Sequence, residues 1–314
     1  MTGTASPHAA TVPGAPGTAP AQITAAAIAR HDGCADPRLR EIMRSLIGHL
    51  HGFVTEVALT PQEWTAAIGV LTATGAITDE RRQEFILWSD ALGVSMLVDA
   101  LAHPLPAGAT ESTVLGPFHV PGSPLREYGE SMAERDTPGI PARVRGRVLD
   151  LEGRPIAGAE LDLWQNDADM RYAVQRPEGP EHHLRGRYRT RADGGFAFLT
   201  VRPVPYPIPD DGPVGRMLER TGRHPWRPAH IHAIVRAPGY RTVVTHIFDA
   251  ESEHLGSDAV FAVKRSLVRR FEERDPRDPE RPAGVDRPWV SLETDFVLAA
   301  GADDGPVSDP GRTA

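Results

Sequence analysis

The feature that most constrains this chain is a change of hydrophobic period at His103-Pro-Leu-Pro-Ala-Gly108. Upstream the period is helical. From Asp36 to Val57 the apolar residues, among them Leu39, Ile42, Met43, Leu46, Leu50 and Phe53, step by three, one and three and make one continuous stripe. Asp36 before Pro37 is a start signal for that helix. Thr60-Pro61-Gln62-Glu63 has the spacing of a capping box and predicts a second helix through Trp64, Ile68 and Leu71. A third is expected from Thr78, with Phe85, Trp88, Leu92 and Met96 on one side. Downstream the period becomes two. Val144 and Val148, then Leu161 and Leu163, then Phe196 and Phe198, then the segments from His230 and Tyr240, alternate between turns rich in Gly, Pro and Asp. Antiparallel sandwich strands read this way. One helix is expected to interrupt them at about Asp258 to Arg270, turning Val260, Val263, Leu267 and Val268 inward.

The predicted architecture is therefore mostly β with α: a helical domain at residues 23–110, then an antiparallel β-sandwich at 111–300. A length of 314 residues is consistent with two such units. Residues 1–22 and 301–314 are small, polar and Pro/Gly-bearing, too poor in apolar surface to offset ordering entropy, and are expected to be disordered tails. With 42 acidic against 34 basic residues the net charge is −8, which argues against a nucleic-acid surface and favours small molecules or proteins as partners. A single cysteine, Cys34, excludes an intrachain disulfide framework and fits a reducing compartment. No signal-like leader is read at the start, and no run approaches 18 apolar residues. The expectation is a cytoplasmic protein that does not span a membrane.

The residues with chemical potential sit in the second half. His230-Ile231-His232 lies on a predicted strand, where side chains two apart share a face, so both imidazoles can address one ion. Iron, zinc, copper and nickel all accept imidazole. No cysteine can join the pair, and the usual zinc spacings are absent. Tyr206 stands upstream in Pro203-Val-Pro-Tyr-Pro-Ile-Pro209, too rich in proline for a helix or central strand. It is one of five tyrosines, with Tyr128, Tyr172, Tyr188 and Tyr240, any of which serves equally well as a packing residue. A phenolate is nevertheless a hard anionic donor, and a trivalent iron would lower its pKa far enough to ionise it at neutral pH.

Four stretches carry a resemblance: Glu111 to Phe118 (ESTVLGPF), Leu163 to Tyr172 (LWQNDADMRY), Tyr206-Pro-Ile-Pro209, and Arg227-Pro-Ala-His-Ile-His232. Together they resemble the intradiol ring-cleavage dioxygenases, non-haem iron enzymes of aromatic catabolism. The likeness runs from about Ile23 to Leu298. Leu87-Trp-Ser-Asp90, Gly222-Arg-His-Pro-Trp226 and Val244-Thr-His-Ile-Phe248 look like the branch that cleaves hydroxyquinol rather than catechol.

The resemblance implies that Tyr172, Tyr206, His230 and His232 ligate one Fe(III) per chain, with Tyr188 the rival for the first tyrosine. It implies that Arg227 steadies anionic charge on the bound ring and that Tyr206 takes a substrate proton. The implied pocket comprises Leu87 and Asp90, Val114, Leu115, Gly116, Pro117 and Phe118, Ile208 and Pro209, Val260, and His246. The last stands where catechol-branch relatives carry glutamine; a plain strand histidine is the alternative. The implied partners are a small aromatic diol or triol and O2, and a second copy of the chain through the N-terminal helices, where members of the family can hold a lipid. The implied reaction opens hydroxyquinol between its adjacent hydroxyl-bearing carbons to 3-hydroxy-cis,cis-muconate, the enol form of maleylacetate. Catechol or a substituted catechol is the alternative substrate. A non-catalytic transthyretin-like binding module also shares the pattern from Gly146 to Phe196, but it leaves Tyr172, Tyr206 and the two histidines without a role.

Overall fold

The computed structural model describes residues 19–79, 82–176 and 178–302. The remainder of the two expected tails, 1–18 and 303–314, lies outside the described residues. The chain forms two compact units that part between Thr72 and Ala73. The first holds α1 (Pro20–Ala29), α2 (Pro37–Glu56) and most of α3 (Pro61–Ile77). Residues 20–22, expected in the tail, already belong to α1, because Pro20 at its first turn needs no hydrogen-bond partner for a missing N–H. The Asp36 carboxylate accepts from the Arg38 and Leu39 N–H groups and so satisfies two of the orphan donors of α2. The capping box is present at α3, where Thr60 N donates to Glu63 and Glu63 N donates back to Thr60 Oγ1.

The second unit begins with the end of α3 and contains α4 (Glu84–Ala91), α5 (Val94–Ala102) and α6 (Pro213–Arg220). The sequence reading grouped the first two of these with the N-terminal helices. It also expected one helix from Thr78, but α4 starts only at Glu84, and α4 and α5 are separate, bent by 77° at Leu92–Gly93. α6 was not anticipated: its eight residues are too few to show a period. No single helix among the described residues is long and apolar enough to cross a membrane.

Among the described residues the unit also holds twelve strands: β1 (Pro141–Asp150), β2 (Glu160–Trp164), β3 (Arg185–Arg189), β4 (Gly195–Val201), β5 (Tyr206–Pro207), β6 (Trp226–Arg227), β7 (His230–Arg236), β8 (Val243–Asp249), β9 (Val268–Arg269), β10 (Glu272–Arg274), β11 (Trp289–Glu293) and β12 (Phe296–Leu298). One sheet runs β10-β11-β1-β12, with β4 on the other edge of β1; the other runs β3-β2-β7-β8-β9. The sandwich core lies between them, built from Val144, Val148, Phe198 and Leu292 on one side and Leu161, Leu163, Ile231 and Ile247 on the other. The sheets are mixed rather than purely antiparallel. β1 pairs in parallel with β11 along residues 142–145 and with β12 along 148–150. Gly146 sits at the changeover, where a Cβ would stand 1.7 Å from the Thr294 carbonyl oxygen, so no other residue fits beneath that passing backbone.

The expected helix at 258–270 is not there. Only a single 3-10 turn forms, Arg265–Leu267, because Phe261 takes a left-handed φ of 61° and Asp258 ties its carboxylate to the backbone N–H groups of Val260 and Ala262. An apolar spacing that looked helical is instead an irregular segment that joins Val260 to a buried apolar cluster with Leu87, Ile208 and Val214.

Candidate metal centre

Sheet β3-β2-β7-β8-β9 is buried on both faces. Ile231, Ala233 and Val235 point into the sandwich, so His230 and His232 point to the opposite face, as a strand's alternation requires. There they are covered by three segments, each fixed by its own polar residues. The loop after β2 is stitched down when Gln165 Nε2 donates to Val201 O and Asn166 Nδ2 to Val204 O. Asp167 closes the next turn by accepting from the Asp169 and Arg171 N–H groups, which delivers Tyr172 to the face. The proline-rich loop holds Tyr206 through β5, whose Tyr206 pairs directly with Arg227 of β6. The connecting segment 111–118 runs beside β8, with Thr113 N donating to Val244 O.

Four side chains then converge. Tyr172 Oη lies 3.0 Å from His232 Nε2 and 3.4 Å from His230 Nε2, and the two Nε2 atoms are 3.1 Å apart. The rings of Tyr172 and Tyr206 meet edge to face at 5.3 Å. Arg227 Nη1 lies 3.4 Å from both Tyr206 Oη and His230 Nε2. All five residues are buried. Tyr188, the rival tyrosine, is on the inner face, packed on Phe198 with its hydroxyl donating to Glu130 O. It is a core residue, well away from this cluster in role and direction.

The donor set suits a hard, highly charged cation. His230 Nδ1 donates to Pro228 O at 2.7 Å, which leaves Nε2 as a bare lone pair. Burial, helped by the Arg227 charge, holds the His230 pKa well below the ordinary imidazole value; His232 and His246 are lowered by burial and by their neighbouring rings. All three are therefore neutral ligand-competent imidazoles, and they can bring one nitrogen each within 4.8 Å of the others. Burial, then Tyr206, pushes the Tyr172 phenol well above its usual pKa, so its anionic form needs a cation at this spot. Arg227 keeps its proton, because the attraction of Asp258 outweighs the cost of burial.

The two histidines are held differently. His232 has no hydrogen-bond partner at Nδ1 among the described residues; its ring stacks on Trp164 at 4.7 Å. Gly116, at φ 76°, takes a backbone conformation that favours glycine, and a Cβ there would crowd His232 Cε1 at 3.2 Å. Phe118 stacks on Tyr172 at 4.4 Å. Leu115 and Phe118 pack with the tyrosines, whereas Leu87, Val114, Ile208 and Val260 belong to the neighbouring apolar cluster. Asp90 of α4 is buried, with Ser95 as a hydrogen-bond partner and Arg227 and Asp258 close enough to act on its charge. His246 pairs across the sheet with His232 and bonds through Nδ1 to the Thr113 hydroxyl. Pro117 is exposed and Pro209 half-buried. Sequence reasoning missed Trp164, Thr113 and Asp258. Trp164 lay within the quoted motif; nothing local distinguishes Asp258 from any turn aspartate.

A buried face that collects two phenols, two imidazoles and a guanidinium on a β-sandwich defines a ring-cleaving dioxygenase, and the relatives agree. Residues 114–298 match the dioxygenase family and residues 36–110 the catechol dioxygenase N terminus family, and the chain belongs to the intradiol ring-cleavage dioxygenases. It is 48% identical to a hydroxyquinol 1,2-dioxygenase of Rhizobium sp. (strain MTP-10005) across 87% of this chain and 92% of that one. The crystal structure of hydroxyquinol 1,2-dioxygenase from Pseudomonas putida DLL-E4 is similar with a TM-score of 0.85 and 51% identity, covering 90% of this chain and 99% of that one. Catechol 1,2-dioxygenase from Pseudomonas arvilla C-1 matches with a TM-score of 0.80 but 27% identity, over 93% and 96% of the two chains.

Proposed function

We propose that this chain opens hydroxyquinol (benzene-1,2,4-triol) with O2 between its adjacent hydroxyl-bearing carbons, both oxygen atoms ending in 3-hydroxy-cis,cis-muconate. Tyr172, Tyr206, His230 and His232 would hold one Fe(III), which when bound supplies the charge and redox capacity that make the ring diol reactive toward O2. The chain's own residues do the rest. Tyr206 Oη takes a proton from a substrate hydroxyl, and Arg227 Nη1, 3.4 Å away, lowers the cost of the anion that results. Leu87, Val114, Ile208 and Val260 give the ring an apolar, water-excluding wall. His246, buried beside His232 and stacked on Phe248 of the same apolar cluster, would stand at the edge of that space.

The observation that carries the substrate assignment is Asp90. Asp90 is 6% exposed on the buried face of α4, beside Leu87 and Ala91 and with Glu84 at the start of the same face, and burial raises its pKa. A group buried at such cost gains from a donor, and the third ring hydroxyl of hydroxyquinol supplies one. Catechol leaves it desolvated without that partner. A ring carboxylate would meet like charge.

We also read the protein as a cytoplasmic homodimer through the first unit, since α2 exposes Leu39, Leu46, Leu50 and Phe53, an apolar face that water disfavours and that would also suit the acyl chain of a bound lipid. Light scattering of the purified protein checks the dimer. The chemistry is checked by colour, iron content and kinetics. A red to burgundy protein with about one iron per chain is expected, since phenolate-to-Fe(III) charge transfer absorbs visible light. Hydroxyquinol should exceed catechol in kcat/KM by about 10- to 100-fold. Full activity with zinc alone would refute the ligand set, and equal kcat/KM for the two rings would refute the substrate.

A further inference from the structure

Asp258 sits outside the metal-ligand cluster and outside the apolar wall, yet its carboxylate is the most heavily engaged near the site. Oδ1 accepts from Arg227 Nε at 3.1 Å and from Val260 N at 3.3 Å. Oδ2 accepts from Ala262 N at 3.0 Å and lies 3.4 Å from Arg227 Nη2. Both side chains of the pair are almost wholly buried, at 4% and 2% exposure. We propose that Asp258 is a positioning residue that aims the Arg227 guanidinium at the reacting centre and, with the same carboxylate, fixes the pocket wall at Val260.

Planarity of the guanidinium makes the first half work. With Nε and Nη2 held along one edge, the remaining nitrogen has a fixed direction, and that nitrogen, Nη1, is the one beside Tyr206 Oη and His230 Nε2. The second half follows from chain geometry. Ala259 N donates to Trp226 O, so the turn is joined to the strand that carries Arg227. Within it Phe261 holds a left-handed φ of 61°, which the two backbone bonds to Asp258 stabilise. The orientation of the cation and the width of the pocket are thereby set by one group. Glutamate, longer by a methylene, cannot cap Val260 and Ala262 and meet Arg227 in the same way.

The inference rests on the role given to Arg227 above, so its test uses whichever of hydroxyquinol and catechol the native protein turns over faster; a wrong substrate assignment leaves the result intact. Asp258→Asn, Arg227→Gln and the double variant form a cycle. Asp258→Asn should lower kcat by about 30- to 100-fold, the scale of a misaligned catalytic group, while the Kd from anaerobic titration of the visible band moves less than about 3-fold. In the Arg227→Gln background the same substitution should change kcat less than about 3-fold, the remainder of its hold on Val260, because the nitrogen it aims is gone. An equal loss in both backgrounds overturns the proposal. Should Asp258→Asn fail to fold with Arg227 buried and unneutralised, Asp258→Glu keeps the charge and decides the matter: a kcat at least about 10-fold lower with iron still bound supports positioning, and native kcat overturns it.

Discussion

The two faces of the sheet β3-β2-β7-β8-β9 are equally buried and chemically opposite. Its inner face presents Leu161, Leu163, Tyr188, Ile231 and Ile247 to the other sheet, whereas its outer face presents Asp162, Trp164, His230, His232 and His246 to three covering loops. The first face gains free energy from leaving water. The second spends it: burial depresses the pKa of every outer histidine, which keeps each a neutral lone-pair donor, and elevates that of Tyr172, whose phenolate forms only with a cation beside it. A strand with period-two alternation, such as β7, thus carries a scaffold at its odd-numbered residues and a reagent shelf at its even-numbered ones, one residue apart.

That contrast can be broken most forcefully at the tyrosines. Tyr172→Phe, on the outer face, should cost at least about 10³-fold in activity and bleach the visible band, as loss of a ligand removes the group that acts with the others. Tyr188→Phe, on the inner face, should leave band and activity intact and lower stability by about 1 kcal/mol through its lost bond to Glu130 O. Spectra and denaturant melts of the two variants distinguish the faces; the reverse pattern would exchange their roles. Next in size, Ile231→Ala should destabilise by about 2–5 kcal/mol while leaving kcat at low temperature within about 2-fold, since the cavity opens away from the histidines on either side. A chemical melt paired with kinetics reads both.

Smaller still is the effect of Asp90→Ala, expected to reduce the preference for hydroxyquinol over catechol by about 10- to 100-fold without loss of iron. Unchanged selectivity would remove Asp90 as its cause. Smallest is a pH effect. Burial raises the Asp90 pKa, so the folded chain holds that proton to higher pH than the unfolded chain does. The stability it contributes is complete below the ordinary carboxyl value of 3.8 and is lost as pH rises through the raised one. Asp90→Asn, which does not ionise, should therefore gain on the native protein by a few degrees in Tm between pH 4 and pH 7, and a gap that narrows instead would contradict a buried, raised carboxyl.

What the sequence disclosed and what it concealed divide along range. Asp36-Pro37 and the Thr60–Glu63 box are local hydrogen-bond devices and were legible as such. So was the shared face of His230 and His232, a consequence of strand pleat alone. The two-sided burial of β7 was concealed, because its outer face is covered by loops that are distant in sequence. Tyr172 could be preferred over Tyr188 through family resemblance, with the charged strand neighbours in Gly186-Arg-Tyr-Arg-Thr190 as the one local sign that Tyr188 is structural. The apolar steps at 260, 263 and 267 imitated a helix until Asp258 captured the turn, a preference of one carboxylate that no periodicity records. The parallel pairing of β1 with β11 and β12 was invisible for the same reason.

That pairing has a consequence for biosynthesis. β1 is shared end to end by β11 and β12, with the Arg147 amide bonded to an aspartate 148 residues further along the chain and the Thr294 backbone lying across Gly146. A nascent chain leaving the ribosome would therefore complete all four proposed metal ligands, Tyr172 to His232, before β11 and β12, which close the sheet carrying β1, exist. Contacts of such separation are slow to form, and exposed strand edges in the interval invite pairing with other chains. The second unit is accordingly one that must be finished before it is safe, with the late strands acting as its latch.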